Sequence, residues 1–223
     1  MSGSDLRDTR SFYLGLEPEA LVADAHVRWV RQRAGRELLD YGCATGGYCL
    51  ALARHGFHCR GVDVNEAYVE RARAAGVEAE LVAPGAPLPF PDASFDTVLL
   101  FEVLEHVPDH RGVLAEARRV ARRNVLVTVP NNRAQPLLRE ASLSFDHMLD
   151  VDHVNFFTRE TLEEALAAVF PAYRVEEREH KDLSLYLRLF PKPVAALLGA
   201  LVALRVVRPR LSYRLFAEAL VDA

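Results

Sequence analysis

The stretch Leu38–Gly47, LLDYGCATGG, constrains the fold most, because an apolar run ends in a turn of small residues and passes straight into a helical pattern. Gly42, Ala44, Gly46 and Gly47 let the backbone follow a tight path and approach a ligand closely, where larger side chains would block both. Strand, glycine turn and helix in that order open a doubly wound sheet, whose ligand lies beyond the carboxyl ends of the strands. The helix after such a turn offers N–H groups to an anionic part of the ligand.

The remainder of the chain continues the alternation. Strands are predicted at ELLDY, CRGVDV, AELVA, DTVLLF and NVLVTV, with helices at Tyr48–His55, Glu66–Ala75, Asp109–Ala121 and Arg159–Val169. Two late strands, YRVEEREH and SLYLRLF, are too close for a crossover helix, since only Lys181 and Asp182 separate His180 from Leu183, so they are expected to pair antiparallel. The expected fold is therefore α/β: a doubly wound, mostly parallel seven-stranded sheet with helices on both faces and a C-terminal antiparallel hairpin. A helical segment at 1–35 precedes the domain at 36–190, and 191–223 reads as an apolar and basic helical extension. A formal net charge of -4 leaves no bulk positive field to gather nucleic acid. Cys43, Cys49 and Cys59 are odd in number and lack CxxC spacing, which predicts reduced thiols and a cytoplasmic protein. The opening residues, SGSDLRDTRS after Met1, lack the apolar core of a signal peptide.

Two carboxylates define the ligand. Asp63 ends the second predicted strand about 20 residues beyond the turn, where a carboxylate accepts hydrogen bonds from both hydroxyls of a ribose. Asp40 stands before the first glycine, where it suits a positive group such as the α-amino group of a methionine moiety and repels a pyrophosphate. A dinucleotide site is disfavoured by Asp40 and by the missing G-x-G-x-x-G.

With DYGCATGG, GVDV at 61–64 and LPFPDASFDTVLLFEVLEHVPD at 88–109, the chain resembles the class I S-adenosylmethionine-dependent methyltransferases over roughly residues 36 to 190. The resemblance implies that Asp40, Gly42 and Gly46 hold the methionine end of S-adenosylmethionine and Asp63 its ribose, with Val64, Gly85, Ala86 and Phe101 around the rest. Two positions depart from the pattern. Ala44 replaces the frequent middle glycine, and Pro84 stands where relatives usually carry an Asp on the adenine amino group, which shifts adenine binding to Gly85 and Ala86 backbone and to apolar contacts such as Val64 and Leu88.

A second constellation lies in FEVLEH, whose Glu102, Glu105 and His106 share a face if the segment enters a helical turn. The E-x-x-E-H run and the later DHVNFFTRE, with His153, are similar to the ubiquinone-biosynthesis O-methyltransferases and the small-RNA 3′-terminal 2′-O-methyltransferases. That resemblance implies a divalent metal (Mg, Mn or Zn) on Glu102, Glu105, His106 and His153. The alternative is metal-free, with His106 as general base or loop anchor beside Glu105, and with His147 and His153 as ordinary loop histidines. Thr158 is expected as a simple N-cap, since Thr161 rather than Glu or Gln stands three residues on. The reading is O-methylation of a hydroxyl on a small-molecule, sugar or lipid-linked acceptor. The competing class is a non-catalytic cofactor-binding sensor or partner subunit. The apolar stretch Val194–Leu204 with its basic flanks packs on the domain or on a second copy in a homodimer, or lies at a membrane interface. The N-terminal helix with Phe12 and Tyr13 is placed to act as a lid.

Overall fold

A computed structural model describes residues 13–133, 152–182, 192–204 and 210–222. Its strands are β1 (Glu37–Tyr41), β2 (His58–Asp63), β3 (Glu78–Leu81), β4 (Phe95–Phe101), β5 (Ala121–Pro130), β6 (Ala172–Asp182) and β7 (Arg210–Leu220). The helices are α1 (Asp24–Arg33), α2 (Gly47–Ala53), α3 (Glu66–Ala74), α4 (His110–Val120), α5 (Arg159–Ala167) and α6 (Lys192–Ala203). The strands form one seven-stranded sheet in the order β3-β2-β1-β4-β5-β7-β6. Strands β1 to β5 run parallel, while β7 is antiparallel to both β5 and β6. The doubly wound sheet and its antiparallel C-terminal pair are as the sequence predicts.

The last strand is not where the sequence predicts it. Residues 184–190, SLYLRLF, lie outside the described residues, and the partner of β6 is Arg210–Leu220. Residues 210–220 are thus a strand of the sheet rather than part of a helical extension. The reason is burial on both faces: Leu215, Ala217 and Ala219 enter one core layer and Phe216 the other. A strand covered on both sides has no clean alternation, and a short apolar run reads equally well as helix.

Successive residues of the central strands supply opposite layers. Leu39, Val98, Leu100 and Val127 pack with Val113, Leu114 and Ala117 of α4 and with Leu162 and Leu166 of α5. Leu38, Leu99 and Leu126 pack with Val27, Trp29 and Val30 of α1 and with Leu52 of α2. Each of these fully buried leucines contributes roughly 1.5–3 kcal/mol from removal of apolar surface from water.

Local chemistry explains where helices begin. Asn65 caps α3 by accepting from Tyr68 N, and Asp109 caps α4 by accepting from Gly112 N. At α5 the structure corrects the simple-cap expectation. The Thr158 amide donates to Thr161 Oγ1 at 2.9 Å and the Thr161 amide donates back to Thr158 Oγ1 at 3.4 Å. A threonine hydroxyl here closes the reciprocal box that a Glu or Gln usually closes.

Candidate functional site

The glycine turn joins β1 to α2 at the carboxyl edge of the sheet. Gly42 N and Cys43 N both donate to Val62 O, at 2.8 and 3.0 Å, which ties the turn to the end of β2. Gly46 has φ +83, and a Cβ there would lie 2.7 Å from Val77 Cγ2. A Cβ on Gly47 would run into the Pro18 carbonyl oxygen. Positive φ and close backbone approach both require glycine at this turn. Ala44 has φ +46, so the one position that lacks a glycine carries left-handed strain.

Asp40 and Asp63 flank this turn from neighbouring strands, since β1 pairs with β2 through Asp40 and Gly61. Asp40 is 2% exposed. Burial first, and repulsion from Asp63 second, push its carboxyl up to about 7, against a small opposing effect of the Cys49 thiol. Asp63 has a role that spacing does not reveal. Its Oδ2 accepts from Ala44 N and its Oδ1 from Asn65 N, both at 2.9 Å, so it braces the turn. Burial raises its pKa despite these amide bonds, which pull the other way.

Around the expected adenine edge, Gly85 has φ +72 in a turn where Ala86 N donates to Ala83 O at 3.1 Å. Val64 is 54% exposed and available to a ligand. Leu88 is not: it is 4% exposed in the core, and its amide donates to Glu116 Oε1 at 2.6 Å. The Phe101 ring is also taken up by the core, with ring centroids 5.1 Å from Tyr48 and 5.0 Å from His26. Only its backbone remains to line a cleft.

The second constellation is assembled by a clamp. Leu104–His106 form a short 3-10 turn after β4. Val154 N and Asn155 N donate to Glu105 O at 2.8 and 3.0 Å. The Asn155 amide nitrogen donates to Leu104 O at 2.9 Å and Val107 O at 2.7 Å. This brings His153 against His106, with ring centroids 4.6 Å apart, and places Asp152 O 3.3 Å from His106 Nδ1. Ligand atoms of Glu105, His106 and His153 all lie within 4.8 Å of one another, a set that a divalent cation can use.

Glu102, the fourth expected ligand, is engaged elsewhere. Its Oε1 accepts from Thr128 Oγ1 at 2.9 Å and lies 3.0 Å from Arg214 Nε, while its own φ is +56. Arg214 also pairs with Glu179. Beside this cluster His26 Nδ1 lies 2.6 Å from the Tyr48 hydroxyl. Burial, then the Arg214 charge, push His26 down to about 3, so it is neutral near pH 7. Arg214 belongs to the strand whose position the sequence does not reveal, and no short motif marks His26, Tyr48 or Asn155. His147 lies outside the described residues.

Residues 39–129 match a family described as a methyltransferase domain. The chain is 38% identical over 98 residues to 27-O-demethylrifamycin SV methyltransferase of Amycolatopsis mediterranei (strain S699), covering 40% of this chain and 36% of that protein. It is 33% identical over 98 residues to ajmaline N-methyltransferase of Rauvolfia serpentina, covering 40% of this chain and 34% of that protein. The chain thus spans about a third of the length of these curated relatives. A solved SAM-dependent methyltransferase from Archaeoglobus fulgidus superposes with a TM-score of 0.65 at 17% identity, over 88% of this chain and 93% of that one, a likeness that shows the fold.

Proposed function

We propose that this chain, whose residues 39–129 match a methyltransferase domain family, is a class I S-adenosylmethionine-dependent methyltransferase that binds S-adenosylmethionine across the glycine turn and transfers its methyl group to a hydroxyl of a small-molecule, sugar or lipid-linked acceptor. The observation that carries this reading is the pair Asp40 and Asp63 on adjacent strand tips around the turn. Asp40 takes the ammonium group of the methionine moiety. Asp63 takes the ribose hydroxyls on the lone pairs left by its two amide bonds. Gly42 and Gly46 give backbone access, and Val64, Gly85 and Ala86 border the adenine.

In the transfer, an acceptor oxygen lone pair forms the new bond to the methyl carbon as the carbon–sulfur bond breaks, leaving a neutral thioether. The acceptor proton passes to His106, whose imidazolium the nearby Glu105 carboxylate stabilises. The barrier falls chiefly through alignment and exclusion of water, because a sulfonium is already an activated donor. The 13–22 segment supports a lid: the Arg71 guanidinium donates to Leu16 O at 2.9 Å, and Arg54 pairs with Glu19, which draws this segment over α2 and α3.

One observation favours a second reading of the acceptor side. The cluster of Glu105, His106 and His153 fits three positions of a divalent site, with Glu102 turned to Arg214 instead. A bound cation would act as a Lewis acid that lowers the pKa of an acceptor hydroxyl.

The test is transfer of labelled methyl groups from S-adenosylmethionine to hydroxylated small-molecule and lipid fractions, before and after exhaustive chelation. Alkali-stable label that survives chelation supports His106 as base. Loss restored by Mg, Mn or Zn supports the cation. Cofactor binding with no label in any fraction would instead favour a non-catalytic module.

A further inference from the structure

The connection between β6 and β7 leaves the sheet at the same edge as the candidate site. Pro130, the last residue of β5, pairs with Arg214, whereas β6 and β7 continue together to the pair Asp182–Arg210. The two-stranded ribbon therefore projects past the end of β5 by about 13 Å, four residues at roughly 3.3 Å each. Between its two strands the chain forms α6, KPVAALLGALVA.

This helix faces water with the wrong chemistry for a solvent surface. Val194 is 41%, Leu197 62% and the following Leu204 73% exposed. Ala196, Ala200 and Ala203 are exposed as well. At about 100° per residue, these positions sweep an apolar arc of about 180°. In the sequence, the connection from 183 to 209 carries charge of a single sign, while Asp182 stands opposite Arg210 at the tip of the ribbon. Arg188, Lys192, Arg205, Arg208, Arg210 and Arg214 stand between Asp182 and Glu218 with no acidic residue among them, in a chain whose net charge is -4. Arg214 is held by Glu102 and Glu179; of the others, Lys192 opens α6, and Arg205 and Arg208 follow it in the sequence.

We propose that α6, with the basic residues that flank it in the sequence, forms an interfacial anchor that sets the carboxyl edge of the sheet on an anionic lipid surface. Twelve residues give about 18 Å of helix, well short of a hydrocarbon core of about 30 Å, so the helix lies in the interface plane. Among the described residues no helix is long and apolar enough to cross a membrane. A second copy of the chain is the weaker occupant. One face of a twelve-residue helix buries far less than the ~800 Å² per partner of a standard stable interface. Apolar side chains between basic flanks suit an acyl–headgroup boundary, where each Lys or Arg near an anionic surface adds about 1 kcal/mol. On the methyltransferase reading, on which this consequence rests, the anchor favours an acceptor whose hydroxyl sits at headgroup level.

The experiment is co-sedimentation of the full chain with vesicles of phosphatidylcholine alone and of phosphatidylcholine with about one third phosphatidylglycerol. Binding to the anionic vesicles is expected to be at least about tenfold tighter than to the neutral ones, and to weaken in high salt. The double variant Leu197→Glu/Leu204→Glu, altered only at exposed positions, is expected to lose at least about tenfold in vesicle affinity with unchanged melting temperature. No binding to anionic vesicles, or equal binding by the variant, overturns the proposal. So does a concentration-dependent dimer that the variant abolishes in the absence of vesicle binding. Calorimetry with S-adenosylhomocysteine on the same samples keeps the two readings apart. Cofactor-product affinity without vesicle binding strikes the anchor alone, and vesicle binding without that affinity strikes the methyltransferase reading alone.

Discussion

Replacing Asp40 by asparagine removes a carboxylate that the glycine turn buries almost completely and whose pKa is raised to about 7. A ligand ammonium group stabilises only the ionised form, so binding to the protonated protein must release that proton. At pH 7 about half of the free protein carries the proton, and at pH 6 about ten molecules in eleven do. The affinity for S-adenosylhomocysteine should therefore fall about fivefold from pH 7 to pH 6, or ~1 kcal/mol, with the ligand's own amino group protonated throughout. Isothermal titration in buffers of different ionisation enthalpy reads both the affinity and the protons released, expected to rise from about 0.5 to about 0.9 per site over that interval. In Asp40→Asn the slope should vanish and the affinity at pH 7 drop by at least about tenfold, the worth of a charge-assisted hydrogen bond. The same variant should not be less stable at pH 8. A carboxylate whose folded pKa is raised costs stability as pH climbs through the interval between its unfolded and folded values, and asparagine removes that cost. A pH-independent affinity with no proton release, or an undiminished slope in Asp40→Asn, would refute the reasoning.

Three further outcomes follow from packing. In Gly61→Ala the new Cβ would sit 2.5 Å from Cys43 Sγ at the base of the turn, so urea denaturation should show a loss of about 1–3 kcal/mol together with weakened cofactor-product binding. Asn155→Ala removes the two bonds to Leu104 O and Val107 O, and should cost about 1–3 kcal/mol and reduce methyl transfer well beyond any change in cofactor affinity, because His153 is no longer held against His106. Arg214→Gln leaves Glu102 and Glu179 without their shared cation and should lower stability by about 1–3 kcal/mol in urea denaturation.

What the sequence makes legible is what depends on local chain conformation. A turn of small residues, a carboxylate before it and another at the next strand tip are properties of a single βαβ unit, so Asp40, Gly42, Gly46 and Asp63 could be located before any coordinates. Residues whose role depends on distant chain segments could not. Arg214 reaches Glu102 only because β7 inserts beside β5, and β7 looks like an apolar helix segment in one dimension. Asn155 joins two loops roughly 50 residues apart, as its bond to Leu104 shows. Leu88 and Phe101 are apolar residues near the cleft in the chain, and only packing tells whether such a side chain faces a ligand or the core. Glu102 shows the same limit for charge: E-x-x-E-H spacing suggests a shared face, but a positive φ at Glu102 and the Arg214 cation turn that carboxylate away from the histidines.

The most direct test of the central claim is a crystal structure of the protein with S-adenosylhomocysteine. The expected result is the amino-acid end of the ligand over Gly42–Gly46, its ammonium group directed to the Asp40 side and both ribose hydroxyls on Asp63. A ligand bound at some other surface, with the turn still closed over Asp40 and Asp63 bonded only to Ala44 and Asn65, would contradict it.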